Sequence, residues 1–321
     1  MSSSPNKSEH SRWQSFRFGA LYGFFGAIGL LPWWILYYPL AELIYVLLYY
    51  VVRYRVRVTR SNLTQAFPEK SRSELRRLER KYYRQLAEVF VDTIDLTSIS
   101  PRALRRRMVF RDEAAHRQLT EGKDWISAMA HYGSWEYVMS YALGDTPDRE
   151  TVGVYKPLSD KTMDRVYRRM RSRVGMIPVP KAVFLRHIIE SRRRGVRMTI
   201  GMIADQAPPR MQTDYWIDFL GRPTAFYDGM ETIAVRFGIP VYFMHVAKTR
   251  RAHYEAWFEC IYDGSEPVAP HEITRRYAAR LEEMIRRRPE LWVWSHKRWK
   301  YLPTREQLEQ QKAAETCPER S

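Results

Sequence analysis

Six consecutive residues, His131-Tyr132-Gly133-Ser134-Trp135-Glu136, put an imidazole and a carboxylate on one short turn. The turn follows an apolar run, Trp125–Ala130, that reads as a buried strand. Open α/β sheets build their sites at the C-terminal ends of such strands. A histidine supported by a carboxylate can strip the proton from an alcohol and turn it into a nucleophile. Gly133 permits the tight turn and Ser134 suits a helix N-cap. Glu136 is then expected in the first helical turn, its carboxylate folded back toward His131 to fix the ring tautomer, as the acid of a triad does.

Other chemistries find less support in the residues. No Ser or Cys sits in a nucleophile elbow, so direct attack by a substrate hydroxyl is more economical than a covalent intermediate. There is no His-Glu-x-x-His and no Cys/His cluster, so no metal is expected. The two cysteines, Cys260 and Cys317, are far apart, which argues against a disulfide framework and fits a reducing compartment.

The elements around this turn begin with an apolar stretch. From Phe18 to Val52 the only charge is Glu42, and Trp33, Trp34, Tyr37, Tyr38, Tyr49 and Tyr50 cluster within the run. Amphipathic rings of this kind gather near lipid headgroups. The run is long enough for one span plus an interfacial segment, and Pro32 and Pro39 could bend it into a re-entrant hairpin. It is too long for a cleaved signal peptide and no small-x-small site follows. The flanks are basic: Lys7, Arg12 and Arg17 before, and more heavily Arg53, Arg55, Arg57 and Arg60 after. That bias expects the body of the protein in the cytoplasm. The expected organisation is a flexible basic segment over 1–17, a membrane anchor over 18–52, an α/β domain over 53–304 and a polar tail over 305–321. The ends Met1–Glu9 and Arg305–Ser321 are expected to be disordered.

Within the body, Ser71-x-x-Glu74 is a capping-box pattern ahead of an apolar stripe Leu75, Leu78, Tyr82, Leu86, Val89. Strands are expected at Trp125–Ala130, Thr151–Tyr155, Met198–Ala204, Val241–Ala247 and Tyr254–Tyr262. Helices are expected at Ser134–Leu143, Asp160–Val174, Lys181–Arg194, Asp228–Phe237 and Pro270–Arg288. The alternation predicts an α/β fold with a mostly parallel central sheet flanked by helices.

Read together, these pieces resemble the late acyltransferases of lipid A biosynthesis, within the wider His-x4-Asp/Glu glycerolipid acyltransferase group. The resemblance covers about residues 50–300. It is carried by His131…Glu136, by Tyr54-Arg55 with Asn62-Leu63 and Phe67-Pro68, and by Tyr155-Lys156-Pro157, where Lys replaces the family's Arg. Ala204-Asp205-Gln206, Phe219-Leu220-Gly221 with Pro223, and Pro289-Glu290 followed by Trp294-Ser295-His296-Lys297-Arg298-Trp299-Lys300 complete the set, in the family's order. The resemblance implies transfer of a fatty acyl chain from acyl carrier protein, or acyl-CoA, to a hydroxyl of a lipid A precursor at the cytoplasmic side of a bacterial inner membrane. His131 would be the general base and Glu136 its partner, with no cofactor beyond the thioester co-substrate. Arg171, Asp205, Lys156 and Arg298 would be the substrate-binding residues, Asp205 alternatively supporting the site from its strand end, although lysine at 156 cannot reproduce a bidentate clamp.

Lys and Arg outnumber Asp and Glu by 53 to 36, a net charge of +17. That excess fits anionic lipid and an acidic carrier protein. A nucleic-acid partner is not expected, because no helix-turn-helix, zinc knuckle or aromatic β-platform is present. Two rival readings use the same residues: the same transfer onto another lipid (a glycerophospholipid, an aminolipid or a glycolipid), and a basic membrane scaffold indifferent to loss of His131.

Overall fold

The structure, a computed structural model, describes residues 7–213 and 215–316. Seven strands form one sheet: β1 Met108–Phe110, β2 Trp125–Met129, β3 Arg149–Tyr155, β4 Ile177–Pro180, β5 Arg197–Ile203, β8 Val241–Arg250 and β9 His253–Tyr262, in the spatial order β1-β9-β8-β2-β5-β3-β4. A separate two-stranded ribbon joins β6 Trp216–Asp218 to β7 Pro223–Ala225. Every neighbouring pair in the large sheet is parallel except the β8–β9 hairpin. The expected mostly parallel α/β fold is therefore present.

The sequence explains this arrangement locally. The central strand β2 is buried along nearly its whole length and lies between β5 and β8, as a strand covered on both faces must. The amphipathic helix Lys161–Ser172 turns Val166 and Met170 inward and Arg165, Arg168 and Arg169 outward, and Glu272–Arg287 buries Ile273, Tyr277, Leu281 and Ile285 in the same way. Because β2, β3, β4, β5 and β8 run in one direction, their C-terminal ends share one edge. His131 and Asp205 both emerge at that edge.

Several expectations shift. The helix expected at Ser134–Leu143 is a 3₁₀ helix, Tyr137–Gly144, so Glu136 precedes it rather than sitting in a first α-turn. The short strands β1 and β4 were not anticipated; both lie at the sheet's edges and have too few residues to show a period. Of the ends expected to be disordered, residues 1–6 and 317–321, with Cys317, lie outside the described residues. Lys7 already begins a helix, Lys7–Gly29, and the tail forms another, Arg305–Thr316. Thr304 and Gln307 exchange cap hydrogen bonds of 2.9 and 3.2 Å at the start of that tail helix. Gln311 then pairs with both main-chain groups of Trp216, which ties the helix to the ribbon.

The apolar run breaks once. Lys7–Gly29 ends before Pro32, and a second helix runs from Trp33 to Val51, long and apolar enough to cross a membrane. Pro39 does not break it; the chain widens into a π-type turn over Leu36–Leu40, which accommodates the missing N–H. One face of this helix is docked on the protein. Leu36, Tyr37, Ala41 and Tyr45 are buried, Glu42 meets Arg84 and Arg251 at 3.5 and 3.2 Å, and Tyr49 donates to Glu79 at 2.8 Å. The other face leaves Trp33, Trp34, Leu43, Leu47, Tyr50 and Val51 exposed.

The long helix Arg72–Asp95 receives this docked face, and its start is the capping box the sequence predicts, Ser71 with Glu74. Ser71→Ala should lower stability by about 1 kcal/mol without altering the fold, measured by denaturant unfolding. A loss well above that would mean the cap does more than begin the helix.

Candidate functional site

His131 stands just beyond β2 and Asp205 just beyond β5, and register pairs the last residues of these strands, Met129 with Ile203. Asp205 Oδ1 lies 2.8 Å from His131 Nδ1, while Oδ2 accepts the His131 main-chain N–H at 3.0 Å and the Trp292 indole N–H at 2.8 Å. The carboxylate is buried; the imidazole remains partly open. With Asp205 on Nδ1, the tautomer that satisfies both groups carries its proton there and leaves the Nε2 lone pair free. The Gln206 amide nitrogen is 3.5 Å from Nε2, and the Trp135 ring stands edge-on to the imidazole with centroids 5.4 Å apart.

Burial alone would push the Asp205 carboxyl up. The electrostatic interaction with His131 and the hydrogen bonds from His131 and Trp292 outweigh it and hold the group below the usual carboxylate range. An ionised, oriented carboxylate behind an accessible imidazole is the arrangement a general base requires.

The contact expected between Glu136 and His131 is replaced by another. Glu136 turns to Arg171 and takes a two-pronged pair, 3.2 Å from Nε and 2.8 Å from an NH2 nitrogen. Both partners are largely buried, and a buried carboxylate is stable only with such a partner. Burial would lower the Arg171 guanidinium, but Glu136 overrides it and raises it. A spacing of five residues brought Glu136 near His131 along the chain, but without a regular α-turn after Ser134 the side chain is aimed across the sheet end instead.

The remaining candidates fall in different places. Lys156 is exposed one residue past β3 and lies outside the His131–Asp205 hydrogen-bond network. Arg298 is buried rather than displayed for a headgroup: its guanidinium lies 4.4 Å from the Phe226 ring centroid, and its Nε and one NH2 nitrogen have no hydrogen-bond partner. Burial pulls it down to about 10, with Asp205 opposing.

Three residues of the site were not foreseen. Trp292 orients Asp205 from the far side of the chain, reaching it through an isolated β-bridge between Tyr132 and Trp292. His296 accepts the Ala207 main-chain N–H at 3.1 Å and is pushed by burial down to about 4, so it is a neutral acceptor that pins the strand-end loop. Tyr137 anchors the turn from below through its hydroxyl, 2.5 Å from Asp95. Only the resemblance to a Trp-rich C-terminal motif hinted at the first two.

Gly133 is required in the turn itself. Its φ is +62°, and a Cβ there would meet Val246 at 3.1 Å and Tyr254 at 3.3 Å. Gly133→Ala should cost about 1–3 kcal/mol of stability, read by denaturant unfolding.

Asp205 carries a pH signature. Its carboxyl is held lower in the folded than in the unfolded chain, so its contribution is complete above the ordinary carboxylate range and lost as acidification passes through the folded value. Asp205→Asn should flatten the acid limb of a stability-versus-pH curve; an unchanged acid limb would contradict this account of the carboxylate.

Residues 10–301 match the family described as bacterial lipid A biosynthesis acyltransferase. No curated protein matches the chain.

Proposed function

Because the chain belongs to the bacterial lipid A biosynthesis acyltransferase family, we propose that it moves a fatty acyl chain from a thioester, on acyl carrier protein or CoA, to a hydroxyl of a lipid A precursor. The observation that carries the reading is the His131–Asp205 dyad at the ends of two adjacent parallel strands. His131 Nε2 takes the proton of the acceptor hydroxyl as the oxygen attacks the thioester carbonyl carbon. The tetrahedral intermediate collapses, the C–S bond breaks, and the imidazolium returns the proton to the departing thiolate. The products are an ester and a free thiol, and no other reactant is consumed.

Asp205 takes the role first expected of Glu136, stabilising the imidazolium while it exists. Among the described residues the N–H groups of Trp135 and Glu136 make no main-chain hydrogen bond, which leaves them as candidate donors to the oxyanion. Glu136 acts one step removed, fixing the Arg171 fork so that its other N–H groups meet a phosphorylated acceptor. The basic surface steers an acidic donor protein and anionic lipid.

Membrane attachment follows the docked geometry. The helix Trp33–Val51 is hydrogen-bonded to the body from Tyr37 to Tyr49, so it cannot cross a bilayer while it stays docked, because Arg72–Asp95 with its many charges would have to enter with it. We therefore place this helix in the interface, its exposed Trp and Leu side chains in lipid, on the inner membrane's cytoplasmic face. Single cysteines on either side of Trp33–Val51 should then be labelled from the same side of sealed vesicles; opposite-side labelling would show a span.

The activity has a direct test in lipid mass spectrometry on cells lacking this protein. Wild type should restore one acyl chain to lipid A, His131→Ala should not, and Asp205→Asn should slow transfer by about 10³–10⁴ in vitro. Glu136→Gln should slow it less and weaken acceptor binding. Full rescue by His131→Ala would end the mechanism, and an acyl change in some other lipid would move the acceptor.

A further inference from the structure

Beneath the His131–Glu136 turn lies a closed cluster of polar groups that the transfer chemistry does not use. Tyr37 comes from the docked helix, Asp92 and Asp95 from Arg72–Asp95, Arg107 from the helix Pro101–Arg107, and Tyr137 from the residue after Glu136. The Tyr37 hydroxyl is 2.5 Å from Asp92 Oδ1 and 2.7 Å from the Tyr137 hydroxyl, which is in turn 2.5 Å from Asp95 Oδ2. Arg107 pairs with Asp95 and donates to Tyr137 at 3.0 Å. Tyr37, Asp92 and Tyr137 are all fully buried.

Counting protons decides the order. Three oxygen–oxygen contacts, Asp92–Tyr37, Tyr37–Tyr137 and Tyr137–Asp95, each need one proton, and two phenols supply only two. The third belongs to one of the carboxyls. Burial raises both carboxyls, but Asp95 has the paired Arg107 to oppose that rise and Asp92 has no cation, so the proton sits on Asp92.

We propose that Asp92 donates to Tyr37, Tyr37 to Tyr137 and Tyr137 to Asp95, a proton-ordered chain that clamps the His131–Glu136 turn to the docked helix. Tyr37 and Asp92 are thereby positioning residues for the turn, and seating of the Trp33–Val51 helix is built into the geometry of the site. The kinetic part of this inference rests on the proposed acyl transfer; the proton on Asp92 does not.

The surroundings agree. Asp92 is faced by Glu88 and Asp95 of its own helix, by Tyr37, by Ser134 and Tyr137 of the turn, and by Tyr254 of β9. Glu88 is occupied by Lys248 and Arg251, at 2.6 and 3.3 Å, and Arg107 is committed to Asp95. Among the described residues no cation is thus left for Asp92 itself. Burial, helped by the neighbouring carboxylates, lifts its carboxyl to about 7 against the Ser134 and Tyr37 hydroxyls. Ser134 Oγ and Asp92 Oδ2 fall outside hydrogen-bond geometry, so Ser134 acts on it as a nearby dipole.

Infrared difference spectroscopy on the full-length protein in mixed phospholipid–detergent micelles tests the chain directly. The wild type should show a protonated-carboxyl band that disappears as pH rises through about 7. That band should be absent from Asp92→Asn and intact in His131→Ala. In acyl-transfer assays, Tyr37→Phe should lower kcat roughly tenfold with little change in KM for the donor, as loss of one buried hydrogen bond allows. Wild-type kcat should fall as pH rises through about 7, and Asp92→Asn, whose amide still donates to Tyr37, should keep most of the neutral-pH kcat and show no such fall. Should Tyr37→Phe fail to fold, Tyr137→Phe carries the same kinetic test. A band that survives in Asp92→Asn, or wild-type kcat in the phenylalanine variant, overturns the proposal. If the wild type transfers no acyl chain at all, the acyl-transfer reading fails and the band alone decides the chain.

Discussion

Everything at this site depends on burying one carboxylate. A charged Asp205 away from water is tolerable only if its lone pairs are taken, and the three donors that take them come from distant parts of the chain. The His131 ring and main-chain N–H arrive from the end of β2, and the Trp292 indole arrives from the segment after the helix Glu272–Arg287. Satisfying Asp205 therefore forces strand register, the turn at Gly133 and the path of the C-terminal segment into agreement. The same segment is fixed independently: Tyr132 donates to the main chain of Met284 and Arg288, and Asn62 donates to the carbonyls of Trp294 and His296.

This explains which parts were legible in the sequence. The longer strands and most of the helices were, because burial gives β2 and β5 largely apolar runs and single-faced burial gives Lys161–Ser172 its period. The position of His131 was legible too, since it needs only the rule that sites form past parallel strand ends. Its pairing with Asp205 was not. Asp205 lies 74 residues away along the chain, and only the pairing of β2 with β5 makes them neighbours. Glu136 drew attention through sequence proximity, and one misjudged local conformation, a 3₁₀ turn in place of an α-helix, was enough to redirect it to Arg171.

The buried arginines show a related limit. Arg298 reads in sequence as one more cation in a basic motif, suited to a headgroup. In the fold it lies over Phe226 within the field of Asp205, with two guanidinium nitrogens unpaired among the described residues. Charge and residue type gave no indication of burial, because burial here is set by the ring packing of Phe219, Phe226 and Trp292. Arg171, equally basic in sequence, is instead paired two-pronged with a carboxylate. Two arginines with the same sequence character thus differ electrostatically, one bound to its counter-charge and one opposite a carboxylate it does not touch.

The apolar N-terminal run was legible as a long apolar helix but not as a docked one. Hydropathy counts side chains without regard to the face they occupy. Tyr37, Glu42, Tyr45 and Tyr49 recur at intervals of three to five residues, and such spacing on a helix gathers them on one side. A helix crossing lipid alone has no partner for that side. Here Asp92, Arg84, Arg251 and Glu79 provide partners for three of the four, so the polar atoms that would be a penalty in a bilayer become the means of attachment to the body. The exposed aromatic and aliphatic face is then the part left over, unpaired by the body.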